Sequence, residues 1–349
     1  MVGTKIVLDY CSTAVQGSVK KGLNLLGQIK NKPKYVKEYE QRIHRRFFSN
    51  KPKIPILSKN PWVRRVINAF HRHWIDVLSE SVEPEKSKEE LKSSLNVLLG
   101  TNESEFDVID LVLENRLQEH ELYYSGDCLH PNIRSAYIYA SQENKTYVVT
   151  LPQERILKLP VYFMDDFLCK DWISFATLGR SSAGGWARID SLYCVANTYD
   201  LESDNFKLTY LKHEAQHTDD YLRYPRLAPR PGYPSSEEKF REALFFCSVK
   251  EYRAKLVEII YAKSKSSLID FISQAADYPN SPHCTAAKKI VTGLSGLLGI
   301  RQSFDLIEVS RARLAEAANE LFSHSTNWLE SLGDNSIGTA KSVLDVTLE

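Results

Sequence analysis

Two histidines and a glutamate stand close together in the segment His213-Glu214-Ala215-Gln216-His217. Residues four apart in an α-helix lie one above the other on the same face. Both imidazoles can therefore reach one metal ion, while Glu214 projects from the adjoining position. Zinc favours imidazole ligands, and a neighbouring carboxylate can accept a proton from a water molecule held at the metal. The spacing predicts a metal-binding site with a general base beside it.

A third ligand must come from another position, and nearby acidic residues are the candidates. Glu251 is favoured because its neighbours on the same helix face are small and would let a metal ion and a facing helix approach. Glu242 is nearer in sequence and is the second choice. Asp220 shares the face of both histidines, so it could bind the metal or accept a hydrogen bond from a ligand imidazole. Asp219, the residue before Asp220, is predicted to be solvated.

The motif and its surroundings resemble the zincin metallopeptidases, in particular the branch whose third ligand is a glutamate on a later helix. The resemblance covers about residues 133–260 and depends on the HEAQH motif, the strand-rich stretch before it and the carboxylate-bearing helix after it. It implies a zinc ion held by the two histidines and Glu251, with a water molecule that Glu214 deprotonates. Zincins of this branch often place an Asp four residues after the third ligand. That position is Lys255 here, which departs from the pattern.

Hydrolysis also requires a hydrogen-bond donor directed at the developing oxyanion. His283, just before a predicted helix, is the first candidate. Tyr252 and Arg253 adjoin the proposed third ligand, and Tyr210 lies one turn before the motif. His283 is therefore predicted to be catalytic, with the other three residues as alternatives.

The segment 182–190 resembles the strand that precedes the active-site helix in zincins. In that family, an edge strand at this place pairs with an extended substrate. Residues 184–187 would then present backbone groups to a peptide by strand addition. An ordinary hairpin turn explains the same residues equally well.

The elements that position these residues predict an α+β fold. Apolar residues recur at helical spacing through most of residues 1–123. Segments rich in β-branched and aromatic residues follow between 133 and 196, and they include 173–178 and 186–195. Helical patterns then return. We expect a mostly helical protein with a small mixed or antiparallel sheet packed beside the motif helix.

The same patterns divide the chain into three regions. Residues 1–125 are predicted to form a basic helical region, 126–265 a zincin-like metal-binding core, and 266–349 a carboxy-terminal helical region. Residues 226–236 are rich in proline and are predicted to form a loop. The end of the chain from Gly333 is predicted to fray.

Composition narrows the class of protein. The chain has 349 residues, 43% hydrophobic and 26% charged, which is typical of a globular protein. The six cysteines are scattered, so neither a disulfide framework nor a Cys-based zinc site is expected. No apolar run approaches the roughly 20 residues that span a bilayer. The start of the chain does not resemble a signal peptide, so a cytoplasmic location is expected.

Charge is distributed unevenly. Residues 1–75 contain 16 Lys and Arg against 3 Asp and Glu, while the remainder contains 29 against 41. Such asymmetry can mark a docking surface for an acidic partner. A solvated helical face, or a basic arm lying on an acidic body, is the simpler explanation. Nucleic acid is not an expected partner.

Three functions follow from these features. A zinc-dependent hydrolase that acts on a peptide or protein substrate is favoured, because Glu214 serves water activation directly. The same two histidines with a carboxylate also suit a non-haem iron oxygenase, with Fe²⁺ in place of Zn²⁺. The third alternative is a non-catalytic binding protein that has kept a residual metal site.

Overall fold

Helices form most of the protein. The structure is a computed structural model that describes residues 2–15, 17–49, 54–130, 132–228, 237–276 and 281–332. The helices before the sheet are α1 Val2–Ala14, α2 Val19–Gly27, α3 Lys34–Phe47, α4 Pro61–Leu78, α5 Pro84–Leu99 and α6 Phe106–Gln118. Those after it are α8 His213–Arg223, α9 Glu237–Tyr261, α10 Ser266–Ala276, α11 Pro282–Leu298 and α12 Arg311–Ser331.

Five strands form one sheet. They are β1 Tyr123–His130, β2 Ile133–Thr150, β3 Ile156–Lys170, β4 Gly185–Ala187 and β5 Leu192–Val195, with the short helix α7 Trp172–Ala176 between β3 and β4. The strands are hydrogen-bonded in the order β1-β2-β3-β5-β4, and both β1 with β2 and β4 with β5 are antiparallel. The expected α+β class, mostly helical with a small sheet, is confirmed.

The chain divides into two compact units, and the boundary between them falls within β2 and β3. The first unit comprises the described residues of Met1–Glu143 and Met164–Ala183. Its core contains buried side chains from all the helices α1 through α7, from β1 and from the start of β2. The second comprises Asn144–Phe163 and the described residues from Gly184 onward. Its core packs side chains of β4 and β5 against the motif helix α8 and the helices that follow. The predicted division into three consecutive regions stays a prediction.

The strand predicted at residues 173–178 is wrong, because the structure places α7 there. The Asp171 side chain accepts a hydrogen bond from the backbone N–H of Ser174 and so caps the helix. Trp172 and Phe175 are then buried in the core of the first unit. An apolar run this short does not distinguish a buried helical turn from a strand by periodicity.

Two other sequence expectations concern the ends of described segments. The predicted loop at 226–236 begins with a 3-10 turn at Pro225–Leu227, and residues 229–236 lie outside the described residues. The predicted fraying from Gly333 also lies outside them. Within the described part of the chain, no helix has the length and apolar character needed to cross a bilayer.

Two histidines of α4 are buried in the first unit. His71 packs its ring against Phe175, with 4.7 Å between ring centroids. His73 Nδ1 lies 2.8 Å from Ser87 Oγ, and its Nε2 accepts a hydrogen bond from the backbone N–H of Arg134. Burial, together with nearby Arg46, lowers the pKa of His71 to about 3. Burial and nearby cations lower the pKa of His73 to about 4. Both imidazoles are therefore neutral in the folded protein at neutral pH.

These histidines make the stability of the protein sensitive to acid. Below a pH of about 6.5, His71 and His73 bind protons in the unfolded chain but remain neutral in the folded protein. The free energy of unfolding therefore decreases as the pH falls toward 4. We expect each histidine to remove about 2 kcal/mol of the free energy of unfolding between pH 7 and pH 5. Urea unfolding at the two pH values measures this. His71→Leu should reduce the pH dependence of the free energy of unfolding by the contribution of one histidine. His44→Leu, at an exposed position of α3, should leave that pH dependence unchanged. An unchanged dependence in His71→Leu would contradict the assignment.

Candidate metal centre

The motif histidines begin helix α8, directly after a π-helical segment, Phe206–Lys212. Phe206, Tyr210 and Ala215 anchor this continuous helix in the core of the second unit. His213 and His217 lie one turn apart, with 4.8 Å between ring centroids. Both are buried, with 8% and 6% of their surfaces exposed. The core therefore holds both imidazoles on one face of α8, as their spacing predicts.

Glu251, on α9, is the acidic residue that meets the two histidines. Its Oε2 lies 3.4 Å from Nε2 of His213, and its Oε1 lies 3.4 Å from Nε2 of His217. One ligand atom from each of the three residues lies within 4.8 Å of the others. Among the described residues, neither Glu242 nor Asp220 belongs to this group. The structure thus brings together the three residues that the sequence favoured as ligands.

The polar atoms of this group fit a cation. Glu251 Oε2 is buried, and no described residue donates a hydrogen bond of acceptable geometry to it. Nε2 of His213 and Nδ1 of His283 nevertheless lie close to this oxygen. Burial would raise the pKa of Glu251, but His283 and the two motif histidines hold it well below its usual range. An ionised, buried carboxylate with an unsatisfied oxygen beside two imidazoles is the donor set of a three-ligand metal site.

The two motif histidines differ in protonation. Burial lowers the pKa of His217 to about 4, so its imidazole is neutral and can donate a lone pair. Burial acts in the same direction on His213, but the carboxylates of Glu251 and Glu258 outweigh it and raise its pKa to about 10. In the absence of metal, His213 therefore holds a proton between two carboxylates. A bound cation would take the place of that positive charge.

Glu258, also on α9, contacts the group although the sequence did not indicate it. Its Oε1 lies 2.8 Å from His213 Nδ1, and only 3% of its surface is exposed. A carboxylate at this place orients a ligand imidazole and raises its basicity. The signal was a second Glu seven residues after Glu251, two turns along the same face of α9. Lys255, where zincins often carry an Asp, instead donates a hydrogen bond to Gln274.

Asp220 does not serve the metal site, which corrects two of its proposed roles. Its carboxylate accepts hydrogen bonds at 2.9 and 3.1 Å from Nε of Arg253, and both side chains are fully buried. Gln216 donates a further hydrogen bond to it. The prediction that Asp219 is solvated is also wrong, because Asp219 is 1% exposed and pairs with Arg155 at 2.8 Å. Asp220 lies on α8, and its carboxylate is directed toward Arg253 of α9. Helical spacing within α8 does not reveal this contact.

Glu214 lies beside the group on α8 and is half-buried. Burial is the largest cause that raises the pKa of its carboxyl to about 7; the Glu251 carboxylate adds to it, while His213 and His283 oppose it. A carboxyl with this pKa can both accept and release a proton near neutral pH.

His283, the second residue of α11, contacts the same group from another helix. Its Nδ1 lies 2.7 Å from Oε2 of Glu251, and 59% of its side chain is exposed. An imidazole that touches the third ligand and reaches solvent can meet a substrate there. Its role as an oxyanion donor stays a prediction.

The alternative donors occupy different surroundings. Arg253 is committed to Asp220, so it is not free to meet a substrate. Tyr210 is buried at 1% exposure, and burial raises its pKa well above the usual range. Tyr252 is half-buried against the core of the second unit. Among the described residues, none of the three has an ion-pair contact with Glu251 such as the one that His283 Nδ1 makes at 2.7 Å.

Strand β4 lies at the edge of the sheet and contacts α8. The carbonyl oxygen of Gly184 accepts a hydrogen bond from the backbone N–H of Val195 at 2.9 Å. The backbone N–H of Arg188 donates one to the carbonyl oxygen of Ser191 at 2.8 Å. Antiparallel pairing alternates, so the N–H and C=O groups of Gly185 and Ala187 point away from β5. The edge therefore presents backbone groups to whatever lies beside it.

Comparisons with known proteins identify no relative. No protein-family model, no curated protein and no solved structure matches the chain. What supports a function is therefore the geometry of the site: a buried His213–His217–Glu251 group able to hold a metal ion, with Glu214 and His283 beside it.

Proposed function

We propose that this chain is a zinc-dependent hydrolase that cleaves peptide bonds. The observation that carries the proposal is the buried group of two imidazoles and one ionised carboxylate, with Glu214 directly beside it. Three protein ligands leave a coordination position open, which is the arrangement of catalytic rather than structural zinc sites. A zinc ion there would lower the pKa of a water molecule and polarise a carbonyl group.

Each residue then has one task. Glu214 accepts a proton from the attacking water, whose oxygen bonds to the carbonyl carbon of the substrate. The carbon–nitrogen bond breaks, and Glu214 returns the proton to the departing amine. His283 donates a hydrogen bond to the carbonyl oxygen as negative charge develops on it. Glu258 orients His213, and Glu251 completes the ligand set.

A peptide is the favoured substrate because of the edge strand. Gly185 and Ala187 direct their backbone groups outward from β4, and β4 contacts the motif helix. An extended peptide could hydrogen-bond to these groups as an added strand, since strand addition needs only free backbone donors and acceptors. Its backbone would then run beside the site.

Zinc is preferred to iron because a proton acceptor stands beside the ligands. Two histidines and a carboxylate also serve non-haem iron oxygenases, so the donor set alone allows both metals. Glu214 favours the hydrolase, because water activation requires a base at that position.

Metal analysis of the native protein tests the proposal. We expect about one zinc per chain in the purified wild type and very little in His213→Ala. His324→Ala, which removes an exposed histidine of α12, is the matched control and should keep its zinc. Peptide cleavage is measured on the same samples with a mixed peptide library. Iron with oxygen consumption would favour the oxygenase, and absence of any bound metal would exclude both enzymes.

A further inference from the structure

Tyr199 lies between β5 and the π-helical segment, close to the start of β4. Its ring packs at 5.3 Å from that of Tyr210 and at 6.3 Å from that of Phe206. Both neighbours are buried core residues, so the position of the ring is fixed. Tyr199 itself is only half-buried, and its hydroxyl has no hydrogen-bond partner among the described residues. A fixed phenol with a free hydroxyl is available to a ligand.

The hydroxyl lies against the backbone at the beginning of the edge strand. A Cβ atom placed on Gly184 would come within 2.7 Å of the Tyr199 hydroxyl oxygen, closer than real Cβ contacts allow. At Gly185 a Cβ would lie 2.4 Å from the Tyr210 ring and 2.3 Å from the carbonyl oxygen of Tyr193. The Gly184-Gly185 pair therefore lets the edge strand approach both tyrosines closely. This explains the two adjacent glycines, for which the sequence left an edge strand and an ordinary hairpin turn equally open.

The same phenol packs against Tyr210, which precedes the proposed catalytic base, Glu214, by four residues on the continuous helix. Burial, followed by the Glu214 carboxylate, raises the pKa of Tyr199 to about 12. Glu258, which orients His213, acts in the same direction. The phenol therefore keeps its proton at neutral pH and can act as a hydrogen-bond donor. It lies against the start of the edge strand, and its ring packs on Tyr210 of the helix that carries Glu214.

We propose that Tyr199 is a further catalytic residue whose hydroxyl donates a hydrogen bond to the carbonyl oxygen of the scissile peptide bond. The proposal rests on the proposed function. A peptide added to β4 runs past Gly184 and must place its scissile bond at Glu214. The Tyr199 hydroxyl lies against Gly184, and its ring packs on Tyr210, four residues before Glu214. As water adds to the carbonyl carbon, negative charge develops on the oxygen and the hydrogen bond to the phenol strengthens. The donor stands on the strand side of the site and His283 on the α11 side.

Tyr199→Phe tests this, because it removes the hydroxyl and keeps the ring packed against Tyr210. We expect kcat for the best-cleaved library peptide to fall about 100-fold while KM changes less than about threefold, since the hydrogen bond acts in the transition state. Zinc content and melting temperature should match those of the wild type. Tyr162→Phe, which removes a hydroxyl from β3, is the control and should keep the wild-type rate.

Two further measurements do not depend on turnover by the variant. Affinity for a peptide phosphonate, whose tetrahedral phosphorus replaces the scissile carbonyl, should fall about 100-fold in Tyr199→Phe. Gly184→Ala should weaken phosphonate binding similarly, because its Cβ displaces the hydroxyl.

The outcomes of these experiments distinguish the role of Tyr199 from the proposed hydrolase function on which it rests. Equal kcat and equal phosphonate affinity in Tyr199→Phe and wild type would overturn the role of Tyr199 and leave the hydrolase standing. A loss of rate that follows a loss of zinc or of folded protein would likewise overturn it, since the residue would then be structural. A wild type without metal-dependent cleavage would overturn the proposed function and this proposal together.

Discussion

Glu214→Gln is expected to lower kcat for peptide cleavage about 1000-fold while the zinc content stays at the wild-type level. Glutamine has nearly the same shape as glutamate but cannot accept a proton, so water activation is lost. Glu214 is not among the three residues grouped as ligands, so metal binding should persist. Steady-state kinetics and metal analysis on the same preparation measure both quantities.

The control for this variant is Glu202→Gln, at an exposed glutamate ahead of the π-helical segment. It should retain the wild-type rate, because its side chain lies in solvent away from the ligands. A Glu214→Gln variant with a rate within tenfold of wild type would remove Glu214 from the chemistry. The metal site would then support a different function, such as binding alone.

Arg253→Met is expected to lower the free energy of unfolding by about 3–5 kcal/mol. Arg253 and Asp220 are both fully buried, and the guanidinium also donates hydrogen bonds to Ser325 and Thr326 of α12. Methionine retains much of the aliphatic packing but leaves the Asp220 carboxylate in the interior without its cation. Urea unfolding followed by circular dichroism measures the difference.

Two comparisons isolate the buried charge. Lys263→Met breaks an exposed ion pair with Asp204 at 2.9 Å and should change stability little, since solvent screens that pair. Asp220→Leu combined with Arg253→Met removes both buried charges and should recover at least half of the loss. A single Arg253→Met variant as stable as the wild type would show that the pair is dispensable.

The same ion pair connects stability to the site. Asp220 follows His217 by three residues on α8, and Arg253 follows Glu251 by two on α9. Their contact therefore holds the ligand-bearing parts of the two helices face to face. We expect Arg253→Met to bind zinc more weakly as well, because the three ligands depend on that alignment.

Local geometry explains why much of the site was predictable. The placement of His213 and His217 follows from helical periodicity, which needs no tertiary information. Glu251 was preferred for its small neighbours, and it is the acid that the two imidazoles meet. The class of fold was also predictable, because helical apolar periodicity is interrupted by short segments rich in β-branched and aromatic residues and then returns.

The sequence predictions were wrong where the role of a residue depends on which helix or core packs against its side chain. Asp220 shares a helix face with the histidines, yet the buried Arg253 of α9 takes its carboxylate. Glu258 lies seven residues after Glu251, three beyond the position where zincins often carry an Asp, so the zincin pattern does not indicate it. Residues 173–178 form α7 because Asp171 caps it and the core of the first unit receives its aromatic side chains.

The amino-acid sequence by itself determined the motif helix, the pair of imidazoles on one of its faces and the α+β class, since these depend on spacing within a few turns. Only the tertiary structure decided which carboxylate completes the group, which one orients His213 and which one is neutralised by an arginine. Those choices depend on how α8 and α9 face each other. Contacts between residues distant in sequence come from packing, and a one-dimensional pattern does not contain them.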